Sequence, residues 1–262
     1  MLMIDLEYCY AYMKRDKKTY LRFHIDDQEN FEHLSKTPHK EIVISGLNQK
    51  YFEYFCKNFA GNFEIIQIAS CPLIKDFTPF ELLEKAHFIC IDWNNKATNL
   101  WNMSNNKLLK GLYLKDFKKV TRLDGIDFAP SLTELYISQN PDVKWFLETL
   151  APLAKCDSLK NLNIGISGIL DGSALPIVKM KSLEKANFRS DLFETEEFAM
   201  LAVKLKKIEL SPNEPCIVCD EDAVGKKNVL IVGKNKPWLQ KNNKKIKQYE
   251  DEWNEFVKKY EA

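Results

Sequence analysis

No run of apolar residues in this chain approaches the roughly 18 that a membrane-spanning helix needs. Charge of one sign is also missing. The 38 Lys and Arg are met by 37 Asp and Glu, leaving a net charge of +1, so no global field draws the chain onto nucleic acid or anionic lipid. The seven cysteines are odd in number and scattered, which is not a disulfide framework and suits a reducing compartment. The opening Met-Leu-Met-Ile-Asp5-Leu-Glu7 carries acid where a secretory leader has a basic start and an unbroken apolar stretch. The expectation is a cytoplasmic protein with no membrane partner.

Motifs that carry chemistry are equally scarce. His24, His33, His39 and His87 are dispersed, and no Ser or Cys sits in a recognisable nucleophile motif. Cys216-Ile-Val-Cys219 has the spacing of a zinc or redox half-site, but neither a second pair nor a His-x(3–5)-His follows to complete four ligands. On a strand its two sulfurs would face opposite sides, so these thiols read as small buried hydrophobes. Val229-Leu-Ile-Val-Gly233-Lys234 opens like a phosphate loop and completes neither glycine pattern. We therefore expect no catalytic residues, no metal and no cofactor.

What the chain does contain is repetition. The phrase Leu109-Lys-Gly-Leu112-Tyr-Leu114-Lys-Asp returns 23 positions later as Leu132-Thr-Glu-Leu135-Tyr-Ile137-Ser-Gln. Extending this register places first positions at His39, Phe63, Ala86, Leu109, Leu132, Leu159, Leu183 and Leu205, at intervals of 24, 23, 23, 23, 27, 24 and 22. The fourth and sixth positions are apolar in every copy, from Ile42/Ile44 through Leu112/Leu114 to Ile208/Leu210. The ninth holds Cys71, Asn94, Asn140 and Asn213, with Ser167 and Asp191 as small polar substitutes, while Leu47 and Phe117 depart. Alternation within each phrase predicts a short strand whose fourth and sixth side chains stack into an apolar spine. A small polar side chain at the ninth position would satisfy backbone groups where the chain turns out of the strand.

A period of 20–29 residues headed by Leu-x-x-Leu-x-Leu resembles the leucine-rich repeat family. The resemblance covers about residues 36–213. It implies an α/β right-handed solenoid, with a parallel sheet on the concave face, helices or irregular segments on the convex face, and a cap at each end. The implied N-terminal cap is 1–35, a hairpin of strands at 2–12 and 20–25 with a short helix capped by Asp27 and reaching Leu34. The array of about eight repeats is 36–213, and the C-terminal cap is 214–262. Return segments at 49–59, at 79–83 after Thr78 as cap, at 143–153 and at 194–205 read as helix, the 27-residue interval after Leu132 leaving room for the longest. Two strands, at 216–219 and 229–232, would close the sheet. Pro237 would precede a last helix with the stripe Leu239, Ile246, Tyr249, Trp253, Phe256 and Tyr260.

If positions four and six face inward, then three, five and seven face outward. This surface presents Phe88, Tyr113 and Tyr136 beside Trp93 and Lys115, then Asn161, Asn163 and Asn187, then Lys185 and Arg189. Exposed aromatics rimmed by polar groups are the chemistry of interface anchors; strand surfaces also favour Tyr and Phe for pairing alone. The resemblance thus implies a non-catalytic scaffold that binds another protein. A narrower form of the same expectation, from the resemblance to short bacterial-type repeat proteins, is that the chain neutralises a cognate toxin. RNA binding by Lys185, Lys207, Arg189 and the tyrosines is the alternative, disfavoured by the charge balance. The terminal Lys-rich stretch is offset by Glu250, Asp251, Glu252 and Glu255 on one helix and reads as a solvated cap face. The chain is expected to be a monomer, with dimerisation through the last helix as the alternative.

Overall fold

Nine strands form one parallel sheet in the computed structural model, which describes residues 21–25, 29–221 and 227–262. They are β1 (Leu21–His24), β2 (Glu41–Ser45), β3 (Ile65–Ala69), β4 (Phe88–Asp92), β5 (Gly111–Lys115), β6 (Glu134–Ser138), β8 (Asn161–Gly165), β10 (Lys185–Phe188) and β11 (Glu209–Ser211). Their order across the sheet is their order along the chain. The two-residue strands β7 (Phe146–Leu147) and β9 (Gly168–Ile169) pair with each other instead.

The alternation that predicts these strands also sets their register. Second and fourth residues are buried, and first, third and fifth are half-buried, in β2, β3, β4 and β6. Ile42, Ile66, Ile89, Leu112, Leu135 and Leu162 are successive partners in one row, and Ile44, Ile68, Ile91, Leu114, Ile137 and Ile164 in the next. A slip of one residue would turn the whole apolar set to solvent, so burial enforces the match. Behind the sheet, the return segments supply large rings to the same core, among them Phe52, Phe77, Phe80, Trp101, Phe117 and Trp145.

The ninth-position expectation divides. Asn94 is buried; its Nδ2 donates to the carbonyls of Cys71 (3.3 Å) and Ile74 (2.9 Å), and its Oδ1 accepts from the N–H groups of Lys96 (3.0 Å) and Ala97 (2.8 Å). Cys71 acts more weakly, its sulfur accepting from the Leu47 N–H at 3.3 Å. Asn140 and Asn213 are exposed. Asn140 braces Asp116, whose two carboxylate oxygens accept from its backbone and side-chain N–H groups. At that turn the acceptor is Gln139, whose Oε1 takes the N–H groups of Trp145 (3.0 Å) and Ser167 (2.9 Å).

Strand β1 pairs in parallel with β2, Leu21 beside Ile42 and Phe23 beside Ile44; the other arm of the expected hairpin, at 2–12, and the cap at Asp27 lie outside the described residues. Several other expectations are corrected. The 27-residue interval holds no long helix. Trp145, Leu147, Leu150 and Leu153 are buried, a spacing met by the extended β7 followed by a 3-10 turn, Ala151–Lys155, with Pro152 in its first turn. Thr78 is not a cap but the first residue of the 3-10 turn Thr78–Leu82, its N–H bonded to Asp76 at 2.8 Å. In β11 the register is two residues off the expectation: Leu210, not Ile208, partners Ala186. The preceding helix occupies much of the shortest interval, so the chain enters the sheet later along its own sequence.

Helices α1 (Gln49–Asn58), α2 (Leu175–Val178), α3 (Thr195–Lys204) and α4 (Lys245–Glu261) complete the main elements. Asn48 caps α1, accepting from the Tyr51 N–H at 3.0 Å. The strands at the C-terminal end do not extend the main sheet. Strands β12 (Cys216–Glu221), β13 (Lys227–Ile231) and β14 (Trp238–Gln240) form a separate antiparallel sheet, and Leu239 lies on β14 rather than on a helical stripe. The C-terminal half of the stripe packs on the chain itself. Trp253 is buried, and Phe256, Val257 and Tyr260 lie against the core. The Tyr260 hydroxyl donates to Glu196 on α3 at 3.0 Å, and Lys206 pairs with Glu261 at 2.7 Å. Of the Lys-rich stretch, Lys236 reaches Glu252 (3.1 Å) and Lys247 reaches Asp251 (2.9 Å). Among the described residues, no helix is long and apolar enough to cross a membrane.

Candidate binding face

The first, third and fifth residues of each strand form the outward face of the parallel sheet, because strand side chains alternate with a period of two. The sequence-predicted residues all lie on this face or at its exit turns. Tyr113 and Tyr136 are direct cross-strand partners, both half-buried, and the Tyr113 hydroxyl lies 3.0 Å from the Ser138 hydroxyl. Phe88 partners Gly111, and the missing side chain is the reason its ring fits. A Cβ at Gly111 would fall 2.2 Å from Phe88 Cδ1, so the ring leans over Gly111 towards β6.

Trp93 stands just past β4, 46% exposed, with a left-handed backbone (φ 67°). It belongs to a row that the sequence pattern does not reveal. The eighth positions of four successive repeats, Gly46, Ser70, Trp93 and Asp116, have φ of 81°, 53°, 67° and 58°. Ser70, Trp93 and Asp116 each send a backbone N–H to the last strand residue of the next repeat, at 3.2, 2.9 and 3.0 Å. These bonds carry the parallel ladder one step past the strands. A left-handed backbone costs about 1–2 kcal/mol in an L residue and is rarest for bulky ones, so the turn holds the indole outward against a local preference. Only Gly46 hinted at the conformation.

Further along, the polar half of the face is largely self-neutralised. Lys115 pairs with Asp92 at 3.5 Å and Lys185 with Glu209 at 2.8 Å, both between neighbouring strands. Arg189 donates through Nε and a terminal nitrogen to both oxygens of Asp191. Asn161 and Asn187 are half-buried. Asn163 is buried and contributes less to any contact surface than its column suggests. Lys207 precedes β11 and is exposed, outside the sheet.

The chain matches no protein-family model and no curated protein.

One residue on this face was not singled out from sequence. Glu134 sits between Gly111 on β5 and Asn161 on β8, in the row that runs from Glu41 through Ile65 and Phe88. Its Oε2 is buried and has no hydrogen-bond partner among the described residues. Loss of water raises its carboxyl above the usual carboxylate range, and the Asn161 side chain pulls it partway back. The sequence signal was the small residue beside it, which reads as a gap only once the register is known. Burial likewise raises Asp116, opposed by Asn140 and Lys115.

The remaining candidate chemistry is dispersed. Cys216 and Cys219 are half-buried free thiols, and burial followed by the charges of Glu250 and Glu214 raises the Cys216 thiol, which disfavours the nucleophilic thiolate. Among the described residues, no group of three His, Cys, Asp or Glu side chains gathers where it could hold a metal ion.

Proposed function

We propose that this chain is a leucine-rich repeat solenoid, a monomeric and non-catalytic scaffold that binds another protein through the outward face of its parallel sheet, the concave face of that architecture. The repeat of about 23 residues, the nine parallel strands in chain order and the unbroken spine support the solenoid. The observation that carries the binding reading is the gathering of Phe88, Tyr113 and Tyr136 on three adjacent strands, with Trp93 at their rim. Aromatic anchors within a polar surround are the usual energetic centre of a protein interface. Helix α4 packs on α3, which favours the cap reading over dimerisation. The six cysteines among the described residues are free thiols, which suits a reducing, cytoplasmic setting. Neutralisation of a cognate toxin is a narrower form of the same reading. Nucleic acid is disfavoured because Lys185 and Arg189 already face carboxylates.

The test is the double variant Tyr113→Ala/Tyr136→Ala, compared with the native chain by affinity capture and by thermal melting. Loss of two anchors should weaken the specific partner by about 2 kcal/mol or more, roughly thirtyfold. The melting temperature should fall much less than when a spine residue is removed. Unchanged capture by a folded double variant would refute the reading.

A further inference from the structure

We propose that the face accepts an arginine side chain of its partner, the guanidinium seated between the Glu134 carboxylate and the rings of Phe88, Tyr113 and Tyr136. This rests on the protein-binding reading and adds the chemistry of the group that would be bound.

Glu134 carries a local imbalance. A buried polar atom without a partner forfeits its hydration and gains nothing in return, and such atoms in folded proteins are rare enough to need a reason. Glu134 Oε2 is one. The acids beside it on the same face are treated differently. Asp92 has Lys115 at 3.5 Å and Glu209 has Lys185 at 2.8 Å, each from a neighbouring strand. Glu134 has Gly111 on one side and the uncharged Asn161 on the other. A glutamine would fill the same volume with no charge to desolvate, so the carboxylate is held at a cost to the fold.

The surroundings specify what would balance it. Tyr136 lies two residues along the same strand and points to the same face, Tyr113 is its cross-strand partner, and the Phe88 ring covers Gly111 next to Glu134. Aromatic faces attract cations within about 6 Å. A guanidinium is planar and weakly hydrated, stacks on rings and forks onto a carboxylate with two parallel N–H donors. An ammonium would use the carboxylate as well but gains less from the rings. The last torsion of glutamate is broad and two-fold, so the half-buried carboxylate can turn its oxygens towards a donor arriving at the rim.

The experiment uses the full chain with carboxyl-labelled glutamate and ring-labelled tyrosine, observed by NMR. N-acetyl-arginine amide is titrated against the isosteric, uncharged N-acetyl-citrulline amide. The arginine probe should shift the Glu134 carboxyl and the Tyr113 and Tyr136 rings along one saturating curve, and the citrulline probe should leave them in place. Glu134→Gln should weaken the arginine response at the rings roughly tenfold or more, the scale of about 1.4 kcal/mol, while melting at or above the native temperature. Equal responses to the two probes, an arginine response that survives Glu134→Gln, or no shift up to the solubility of the probe would each overturn the proposal. The capture assay with the tyrosine variants does not depend on Glu134. Capture lost there with no arginine response here leaves the face as a protein-binding surface and removes only the cation pocket; capture unaffected there removes the parent reading.

Discussion

Replacing Asn94 with alanine is expected to lower stability by about 3–6 kcal/mol. The residue is 1% exposed, and its side chain is the hydrogen-bond partner of backbone groups at Cys71, Ile74, Lys96 and Ala97. Three of these residues are buried, and each orphaned group carries roughly 1–3 kcal/mol of uncompensated desolvation. The variant's melting temperature should fall on the order of 10 °C or more, taking about 2–4 °C per kcal/mol for a chain of this size. Asn94→Asp keeps the acceptor, loses the donor and should lie between. Asn213→Ala is the contrasting case, because Asn213 holds the same ninth position by sequence yet is exposed; its effect should stay within about 0.5 kcal/mol. Thermal melting of the three variants beside the native chain checks all of this.

The second large effect belongs to the spine. Leu112 is 1% exposed and flanked in its row by Ile89 and Leu135, so Leu112→Ala removes buried methyl groups from a position closed on both sides. The loss of burial together with the cavity left behind should amount to about 2–5 kcal/mol. Leu210→Ala, in the last strand of the sheet with a spine neighbour on one side only, should cost less because the site can relax. Denaturant titration of both variants would show a lower midpoint with an unchanged slope if stability alone is altered.

These expectations separate what composition and period reveal from what they hide. Two-residue alternation repeated at near-constant intervals determines which side chains face in, and from β2 to β8 the register follows from it without error. It fails at β11, where ten residues of α3 sit within the shortest interval and delay the strand. It fails again between Leu132 and Leu159, where buried residues two and three apart resemble a helical stripe but belong to β7 and a 3-10 turn. Apolar period alone does not distinguish these when the segment is short. The strands after Pro215 were visible, but their antiparallel pairing was not, because pairing partners are not written in local sequence.

On the candidate face the identities were legible and the energetics were not. Phe88, Tyr113, Tyr136, Trp93 and the polar residues beyond them follow from the columns. Arg189 is engaged by Asp191 two residues further along its own repeat, while that Lys115 and Lys185 are already engaged by carboxylates depends on contacts between repeats. The same is true of Glu134, which reads from sequence as one more surface acid and proves to hold a buried oxygen without a partner. The left-handed row at the eighth position was hidden for another reason: Ser70, Trp93 and Asp116 adopt it although their residue types do not prefer it, with the ladder bonds to the next strand as the compensation.

The central claim, that a partner protein sits on the outward face of the sheet, is tested most directly by photo-crosslinking in cells. A photoreactive phenylalanine analogue placed at Tyr136 is compared with the same group at Phe128, which is 55% exposed in a return segment away from the sheet strands. A discrete adduct containing one partner protein is expected from position 136 and none from position 128. An adduct formed at 128 and not at 136, or no adduct at 136 while the native chain still captures its partner, would contradict the central claim.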